Sequence, residues 1–241
     1  MLAATAFVRS QAILIGVPVV ILLLADLNLK SLVRVGIALG VGVAILIVPW
    51  AARNEAAMGR PYLINDNLAY NLRIAHAPNS TGTSVPPQDL WDERPGISFK
   101  ERELFFDEAG GKRALAYARA HPKRELELAV YRVGYLVRSD SADAIWESLR
   151  VRPNGGRASL YLLLGDLFYY PLVALAALSV LLLKPSRLCV ALWSSILVWI
   201  GLHLVFAGEP RYHVPLMPVA AVLAAGAVGS FISRISARML D

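Results

Sequence analysis

The chain has 241 residues, of which 56% are hydrophobic and only 17% are charged, and its mean hydropathy is +0.52. Soluble domains carry about 45–50% apolar and about 25% charged residues. The composition therefore argues against a disordered, fibrous or ordinary soluble chain and indicates a membrane protein. In a membrane protein, a net charge of +6 indicates basic residues that set the orientation of the chain in the bilayer, rather than a nucleic-acid-binding surface. The single cysteine, Cys189, excludes an intramolecular disulfide and a cysteine-rich metal site.

Apolar stretches that approach the roughly 20 residues needed to cross a bilayer occur in five places. A polar break, GEPRYH, divides the last long stretch into two helices. We interpret residues 2–8 as the tail of an earlier helix whose beginning is missing. A secretory signal is the alternative, but no small-residue cleavage site follows it. The predicted spans are residues 12–25, 33–50, 158–183, 188–207 and 214–232.

The polar remainder is one block, residues 51–157, which holds 16 of the 24 basic and 14 of the 18 acidic residues. Near-helical spacing of apolar residues predicts one helix over 98–120, weakened locally by Gly110-Gly111, and a second helix over 123–138. We expect a helical hairpin that packs on the membrane helices, rather than a separate catalytic domain. The second helix carries one apolar stripe, made of Leu126, Val130, Val133 and Leu136.

The chain is therefore divided into three parts. Residues 1–50 form membrane helices, residues 51–157 form the polar helical block, and residues 158–241 form three further membrane helices with a loop at 208–213. Basic residues accumulate in short cytoplasmic loops, and six of them lie in 26–34, 184–187 and 233–241. The polar block is thus predicted to be extracytoplasmic, although the arginines at its two ends count against this orientation.

The loop between the last two spans carries the strongest candidate site. Arg211 offers a planar fork of donors that suits a phosphate, and Glu209 is placed to orient it. Tyr212 and His213 offer hydrogen bonds or ring faces to a sugar or a diphosphate. His203, near the outer end of its helix, is expected to line the same cavity. The alternative stays open that these are ordinary polar residues of a loop at the membrane surface.

Arg9 is the second candidate, because an arginine between apolar segments is costly in lipid unless it reaches an interface or a polar cavity. In the predicted topology it lies on the same side as Arg211, and two arginines there suit an anionic lipid headgroup. An arginine that extends from a helix end to the headgroups is the alternative. Asp166, the only acid well within a span, is placed near the outer interface.

Motifs of hydrolases, nucleotide motors and metalloenzymes are absent from the sequence, which has no P-loop, GxGxxG, HExxH, GxSxG or paired Cys/His set. Four segments in order along the chain resemble instead one family of membrane enzymes. These segments are 3–12 around Arg9; 48–54 with Asn65, Asn71 and 78–82; 116–122; and 208–218, which reads Arg-Tyr-x-x-Pro-x-x-Pro at its core. With them the chain resembles the C-terminal part of a polytopic glycosyltransferase of the dolichyl-phosphate-mannose–protein mannosyltransferase type, in its bacterial form.

The resemblance implies an integral protein of the bacterial plasma membrane with an extracytoplasmic active site. It implies a polyprenyl-phosphate sugar donor, an acceptor that the sequence does not identify, and a carboxylate base with cations on the donor phosphate. Some relatives use a divalent ion, although the sequence contains no obvious ligand cluster. The residues assigned to the lipid phosphate or sugar are Arg9, Glu209, Arg211, Tyr212 and His213, and further loop contacts are assigned to Arg53, Asn54, Asn65 and Asn71.

One departure from the family bears on activity. Family members place their key acids in a loop after the first span, whereas the only acid before residue 55 here is Asp26, on the predicted inner side. We therefore expect this chain to be the C-terminal part of a longer enzyme. The chain would then lack the catalytic carboxylate and be inactive alone. The alternative is a non-catalytic accessory or scaffold protein that binds a partner through residues 51–157. A transporter comes third, because few polar residues or helix breaks lie within the spans.

Overall fold

The computed structural model describes residues 13–25, 27–63, 65, 67–139 and 156–240, and within these residues it contains nine α-helices, one 3-10 helix and no strand. The predicted all-α fold is thus confirmed. The helices are α1 (Ile13–Leu24), α2 (Leu29–Met58), α3 (Leu68–Ala75), α4 (Gln88–Glu93), α5 (Phe99–Ala120), α6 (Pro122–Leu136), α7 (Gly156–Leu182), α8 (Arg187–Val205) and α9 (Met217–Leu240), and the 3-10 helix is Pro210–Leu216.

Four helical segments are long and apolar enough to cross a membrane: Leu29–Met58, Leu160–Leu182, Arg187–Val205 and Pro210–Ala237. They coincide with four of the five predicted spans. The described part of the remaining predicted span, α1, has 12 residues and packs against α8, so it is shorter than a bilayer crossing requires. Arg9 and the predicted tail of an earlier helix lie outside the described residues.

Local sequence signals explain where several helices begin and end. The side chain of Asn28 accepts a hydrogen bond from the Ser31 backbone N–H, which satisfies one of the free donors at the start of α2. Gly59, at φ +79°, ends the same helix in the left-handed conformation that glycine adopts without strain. Ser98 and Glu101 form a reciprocal capping box at the start of α5.

The apolar helices α7, α8 and α9 pack together through small residues and through polar contacts. Ala176 of α7 and Ala220 and Leu223 of α9 form a buried cluster. The indole Nε1 of Trp193 donates to Ser179 Oγ at 3.1 Å, which joins α8 to α7. By contrast, within the described part of the chain the apolar window of α2 has no buried residue. That helix therefore presents its apolar surface outward, as a lipid-facing span would.

The polar block is built around the crossing of α5 over α3. Gly110 lies at this crossing, and a Cβ there would be 2.7 Å from the Ala69 carbonyl oxygen. The sequence interpretation of Gly110-Gly111 as a local weakness of α5 is thus incomplete, because the missing side chain is what lets the two helices approach. Beside the crossing, Leu90, Phe105 and Phe106 form the apolar core of the block.

Ion pairs hold the rest of the block together. Arg73, which is buried, donates to Asp89 at 3.0 Å and to the His76 carbonyl at 2.7 Å. Arg113 bridges Asp89 and Glu93. These contacts tie α3, α4 and α5 into one unit, so the acidic and basic residues that dominate the block stabilise its own fold.

Helix α6 forms as predicted, but with a different buried face. It packs chiefly on α8, whereas α5 packs on α3, so the two helices are not a closely paired hairpin. Its buried residues are Leu128, Arg132 and Leu136. Of the stripe predicted to pack inward, Leu126 and Val130 are 71% and 67% exposed. The buried guanidinium of Arg132 donates hydrogen bonds to carbonyls of α3 and α8. The face of α6 that contains Arg132 therefore packs inward, in place of the face that contains Leu126 and Val130.

Candidate functional site

Two loops from distant parts of the chain meet beside α6. We call residues 76–87 loop A and residues 206–209 loop B. The Gly208 backbone N–H donates to the Gly82 carbonyl at 2.8 Å. A Cβ on Gly208 would lie 2.0 Å from the Arg132 carbonyl oxygen, and a Cβ on Gly82, whose φ is +92°, would lie 3.0 Å from Tyr131 Cβ. Both glycines are therefore required for the loops to pack this closely on the helix.

A buried guanidinium fixes both loops at their starting points. Arg132, which is 1% exposed, donates to the carbonyls of Ala75 and Leu204, each at 2.6 Å. These carbonyls belong to the last turns of α3 and α8, where unpaired acceptors and the helix dipole favour a cation. The same side chain pairs with Glu125 at 3.2 Å, and His76 Nδ1 lies 2.8 Å from the same carboxylate oxygen.

Burial lowers the pKa of Arg132, and the adjacent Glu125 carboxylate raises it in part. An arginine nevertheless stays protonated in proteins, so the buried Arg132 guanidinium keeps its charge beside the Glu125 carboxylate. This cluster was not predicted from the sequence, because Arg132 stands between ordinary surface residues of an amphipathic helix. The one indication in the sequence is its spacing, because Arg132 lies four residues from both Leu128 and Leu136 and so shares their helix face.

Three of the predicted site residues lie together where loop B enters the 3-10 helix. Glu209 forms an ion pair with Arg211 Nε, and its other oxygen accepts a hydrogen bond from the Ser84 backbone N–H at 3.2 Å. The Tyr212 hydroxyl lies 3.4 Å from Ser84 Oγ. The Arg211 side chain is 53% exposed and passes over the Tyr212 ring at 5.6 Å. The predicted role of Glu209 in orienting Arg211 agrees with this geometry.

A cleft opens next to these residues, with an empty volume of about 310 Å³ that includes the part open to solvent. His203 and Tyr212 stack along it, with ring centroids 5.2 Å apart. The Trp199 indole Nε1 donates to the Tyr212 carbonyl at 2.8 Å and so fixes the Tyr212 backbone. His203 is one of the residues that line this cleft. The lining residues are Asn71, Ile74, Ser84, His203, Phe206, Ala207 and Tyr212.

Of the other predicted site residues that the structure describes, only Asn71 lines the cleft. His213 is 3% exposed, stacks on Tyr169 at 4.5 Å, and has its Nδ1 3.0 Å from the Leu136 carbonyl. It is therefore part of the packing between α6 and α7 rather than of the cleft wall. Of the predicted loop contacts, Asn71 lines the cleft, whereas the other three, Arg53, Asn54 and Asn65, do not.

These three residues lie at or beyond the end of α2. The Asn54 side chain donates to the Tyr62 carbonyl at 2.7 Å, so it stabilises the turn after α2. Arg53 lies over the Trp50 ring at 5.0 Å, and Asn65 is exposed. In the parts of the chain that the structure describes, no group of three or more His, Cys, Asp or Glu residues could hold a metal ion.

The chemistry of the cleft suits a ligand that carries hydroxyl and anionic groups. An amide, two hydroxyls and an imidazole line it, an aromatic pair forms one wall, and an exposed arginine lies next to that wall. Comparison with protein-family models, with curated proteins and with solved structures returns no match for this chain. What the structure establishes by itself is an all-α fold with four helices suited to a membrane.

Proposed function

We propose that this chain is the C-terminal portion of an integral-membrane glycosyltransferase, and that it binds the phosphate of a polyprenyl-phosphate sugar donor beside the cleft. The observation that carries the proposal is the position of Arg211. Its half-exposed guanidinium lies next to a cleft lined by hydroxyl, amide and imidazole groups, at one end of the apolar helices. A guanidinium is the side chain best suited to phosphate recognition.

The location also supports a lipid-linked ligand. The 3-10 helix that carries Arg211 and Tyr212 continues directly into α9, and α8 ends just before the cleft. A ligand held there has its polar head among the lining residues and its hydrocarbon tail beside apolar helices. By the distribution of basic residues, we place this end of the helices outside the bacterial plasma membrane.

None of the described residues lining the cleft is a carboxylate, and the carboxylate of Glu209 is already engaged by Arg211 and by the Ser84 backbone. The general base that glycosyl transfer needs is therefore not evident at the cleft. We expect the purified chain to bind the donor without transferring its sugar. Sugar transfer from a polyprenyl-phosphate donor by the purified chain would refute this argument.

Binding to the chain in lipid nanodiscs tests the proposal. Native mass spectrometry would compare a polyprenyl monophosphate with the corresponding polyprenyl alcohol, for the wild type, Arg211→Gln and the control Arg119→Gln on the exposed face of α5. A charged hydrogen bond contributes about 1.5–3 kcal/mol, so Arg211→Gln should weaken binding of the phosphate at least about tenfold. Equal affinity for the phosphate and the alcohol in the wild type would contradict the proposal.

A partner-binding role for the polar block is the second candidate, and one surface favours it. Phe99, at the start of α5, is 74% exposed. One turn later, Arg102 lies over the ring of Trp91 at 5.0 Å, and that ring is itself 40% exposed. Tryptophan and arginine are enriched among the residues that dominate protein interfaces. If the chain is a scaffold, Phe99→Asp should abolish association with its partner while Arg211→Gln leaves it intact.

A further inference from the structure

Helix α6 has two apolar faces, and the described residues cover only one of them. Leu128 and Leu136 share the face that packs on the rest of the chain. The other face carries a stripe of Leu126, Val130, Val133 and Val137, at steps of four, three and four residues, which places them in one line along the helix. Leu126, Val130 and Val137 of this stripe are 71%, 67% and 46% exposed. The charged side chain of Glu127 is exposed on another side of the helix.

The C-terminal end of α6 lies among helices that are apolar enough to cross a membrane. Leu136 packs against Trp199 of α8 and Leu216 of the 3-10 helix. Trp199 precedes the last residue of α8, Val205, by six residues, which is about 9 Å along a helix axis. The end of α6 therefore lies well below the end of α8, at the level of the apolar segments rather than above them.

Side chains of those neighbouring elements satisfy the last carbonyls of α6. The Tyr169 hydroxyl donates to the Val137 carbonyl at 3.0 Å. His213 Nδ1 lies 3.0 Å from the Leu136 carbonyl and donates to it in the tautomer that carries the hydrogen on Nδ1. A helix end in water leaves these acceptors to solvent. In hydrocarbon each acceptor needs a protein donor, because an unsatisfied group costs several kcal/mol. The pairing thus fits a helix end that lies below the membrane surface.

From this geometry we infer that α6 is an interfacial helix that slopes into the leaflet nearer the polar block, with its 126–137 stripe in contact with lipid acyl chains. The occupant is lipid because the stripe runs without interruption towards an end that is fixed beside membrane-crossing helices. Arg138, one residue beyond the stripe, is exposed, and its long stem allows the guanidinium to extend to the headgroups. The inference does not depend on the proposed glycosyl transfer.

Spin labels on single cysteines test this arrangement in the full chain. Cys189→Ser removes the native thiol, and labels are then placed at Leu126, Val130 or Val137, with Glu127→Cys as the control on the same helix. Each variant is reconstituted in phosphatidylcholine–phosphatidylglycerol vesicles. The collision rates of the label with oxygen, which concentrates in hydrocarbon, and with a water-soluble nickel chelate are measured. These positions are exposed in the chain, so substitution leaves the packed core intact, and gel filtration verifies the fold.

We expect oxygen collisions to exceed nickel collisions at Val130 and Val137, and the ratio to rise from Leu126 to Val137 over about 16 Å of helix. Glu127 should favour the nickel chelate. Nickel accessibility at Val130 equal to that at Glu127 would place the stripe in water and overturn the inference. Low accessibility of Val130 and Val137 to both reagents would also overturn it, because the stripe would then be covered by protein, either a second copy or residues 140–155.

Discussion

Replacing Arg132 with methionine should loosen the contact between the polar block and the apolar helices. The arginine side chain is 1% exposed, and its guanidinium holds the last-turn carbonyls of α3 and α8 as well as the Glu125 carboxylate. Methionine occupies a similar volume but offers no donor. The variant therefore removes the Arg132 donor from the Leu204 carbonyl, while the Ala75 carbonyl keeps the Ser80 hydroxyl as a donor. It leaves His76 as the remaining side-chain partner of the Glu125 carboxylate in the described chain.

The size of the effect follows from these lost contacts. Removing one member of a buried ion pair costs about 3–5 kcal/mol, and a buried acceptor without a donor costs about 1–3 kcal/mol. The two terms overlap, because the same relaxation that admits water to the carboxylate also hydrates the Leu204 carbonyl. We expect a loss of about 3–5 kcal/mol in the opening free energy of this region, or at least about a hundredfold in the equilibrium constant.

Hydrogen exchange measured by mass spectrometry on peptides covering loop A and loop B is the suitable assay, because it reports local opening free energies. The control is Arg119→Met, which makes the same chemical change on the exposed face of α5 and should change stability by less than about 0.5 kcal/mol. Adding Glu125→Gln to Arg132→Met should recover part of the loss, since the unpaired carboxylate is then neutral. If Arg132→Met protects the loops as well as Arg119→Met does, the role assigned to the guanidinium is wrong.

Three further predictions test the close approaches and the helix cap. In denaturant titrations, Gly110→Ala should destabilise the chain by about 1–3 kcal/mol, because its Cβ would lie 2.7 Å from the Ala69 carbonyl oxygen. Gly111→Ala, whose Cβ would have its nearest neighbour at 3.6 Å, should be neutral or stabilising. Gly208→Ala should raise the exchange rate of loop A and loop B, since its Cβ would lie 2.0 Å from the Arg132 carbonyl oxygen, while Gly201→Ala, with open space around it, should not. Hydrogen bonds from Ser98 lower the pKa of Glu101 below its ordinary value of 4.5. The cap therefore stabilises α5 fully above pH 4.5, and this stabilisation is lost as the pH falls through the lower pKa of the folded state. The protection factor at the start of α5, which corrects for the slower intrinsic amide exchange in acid, should therefore fall on acidification in the wild type but not in Glu101→Gln. Identical pH profiles of this protection factor would contradict the assignment.

The helices could be predicted because their signals are local. Long apolar runs locate four membrane-suited helices, and near-helical spacing locates α5 and α6 to within about two residues. The cluster of Glu209, Arg211 and Tyr212 was visible for the same reason, since its members are neighbours in sequence. His213 belongs to the same run of letters, but the structure uses it to contact the Leu136 carbonyl, because adjacent residues of a tight helix point in different directions.

The remainder of the site depends on contacts between distant residues, which composition and spacing do not encode. Gly82 and Gly208 are adjacent in space although more than a hundred residues separate them. Periodicity found the apolar stripe of Leu126 and Val130, but it could not say whether protein, lipid or water lies against it. Arg132 was missed because a single arginine on an amphipathic helix is typical of a solvated face.

The cleft is best understood as a product of the contact between the polar block and the membrane helices. One wall contains Asn71 and Ser84 from the block, and the other contains His203 and Tyr212 from the membrane side. Arg132 and the Gly82–Gly208 hydrogen bond join the chain segments that lead into both walls. A change that separates these segments should therefore disturb the cleft without touching any lining residue. For the same reason, the isolated block, residues 51–139, should fail to bind a phosphate ligand even where its own ion pairs keep it folded.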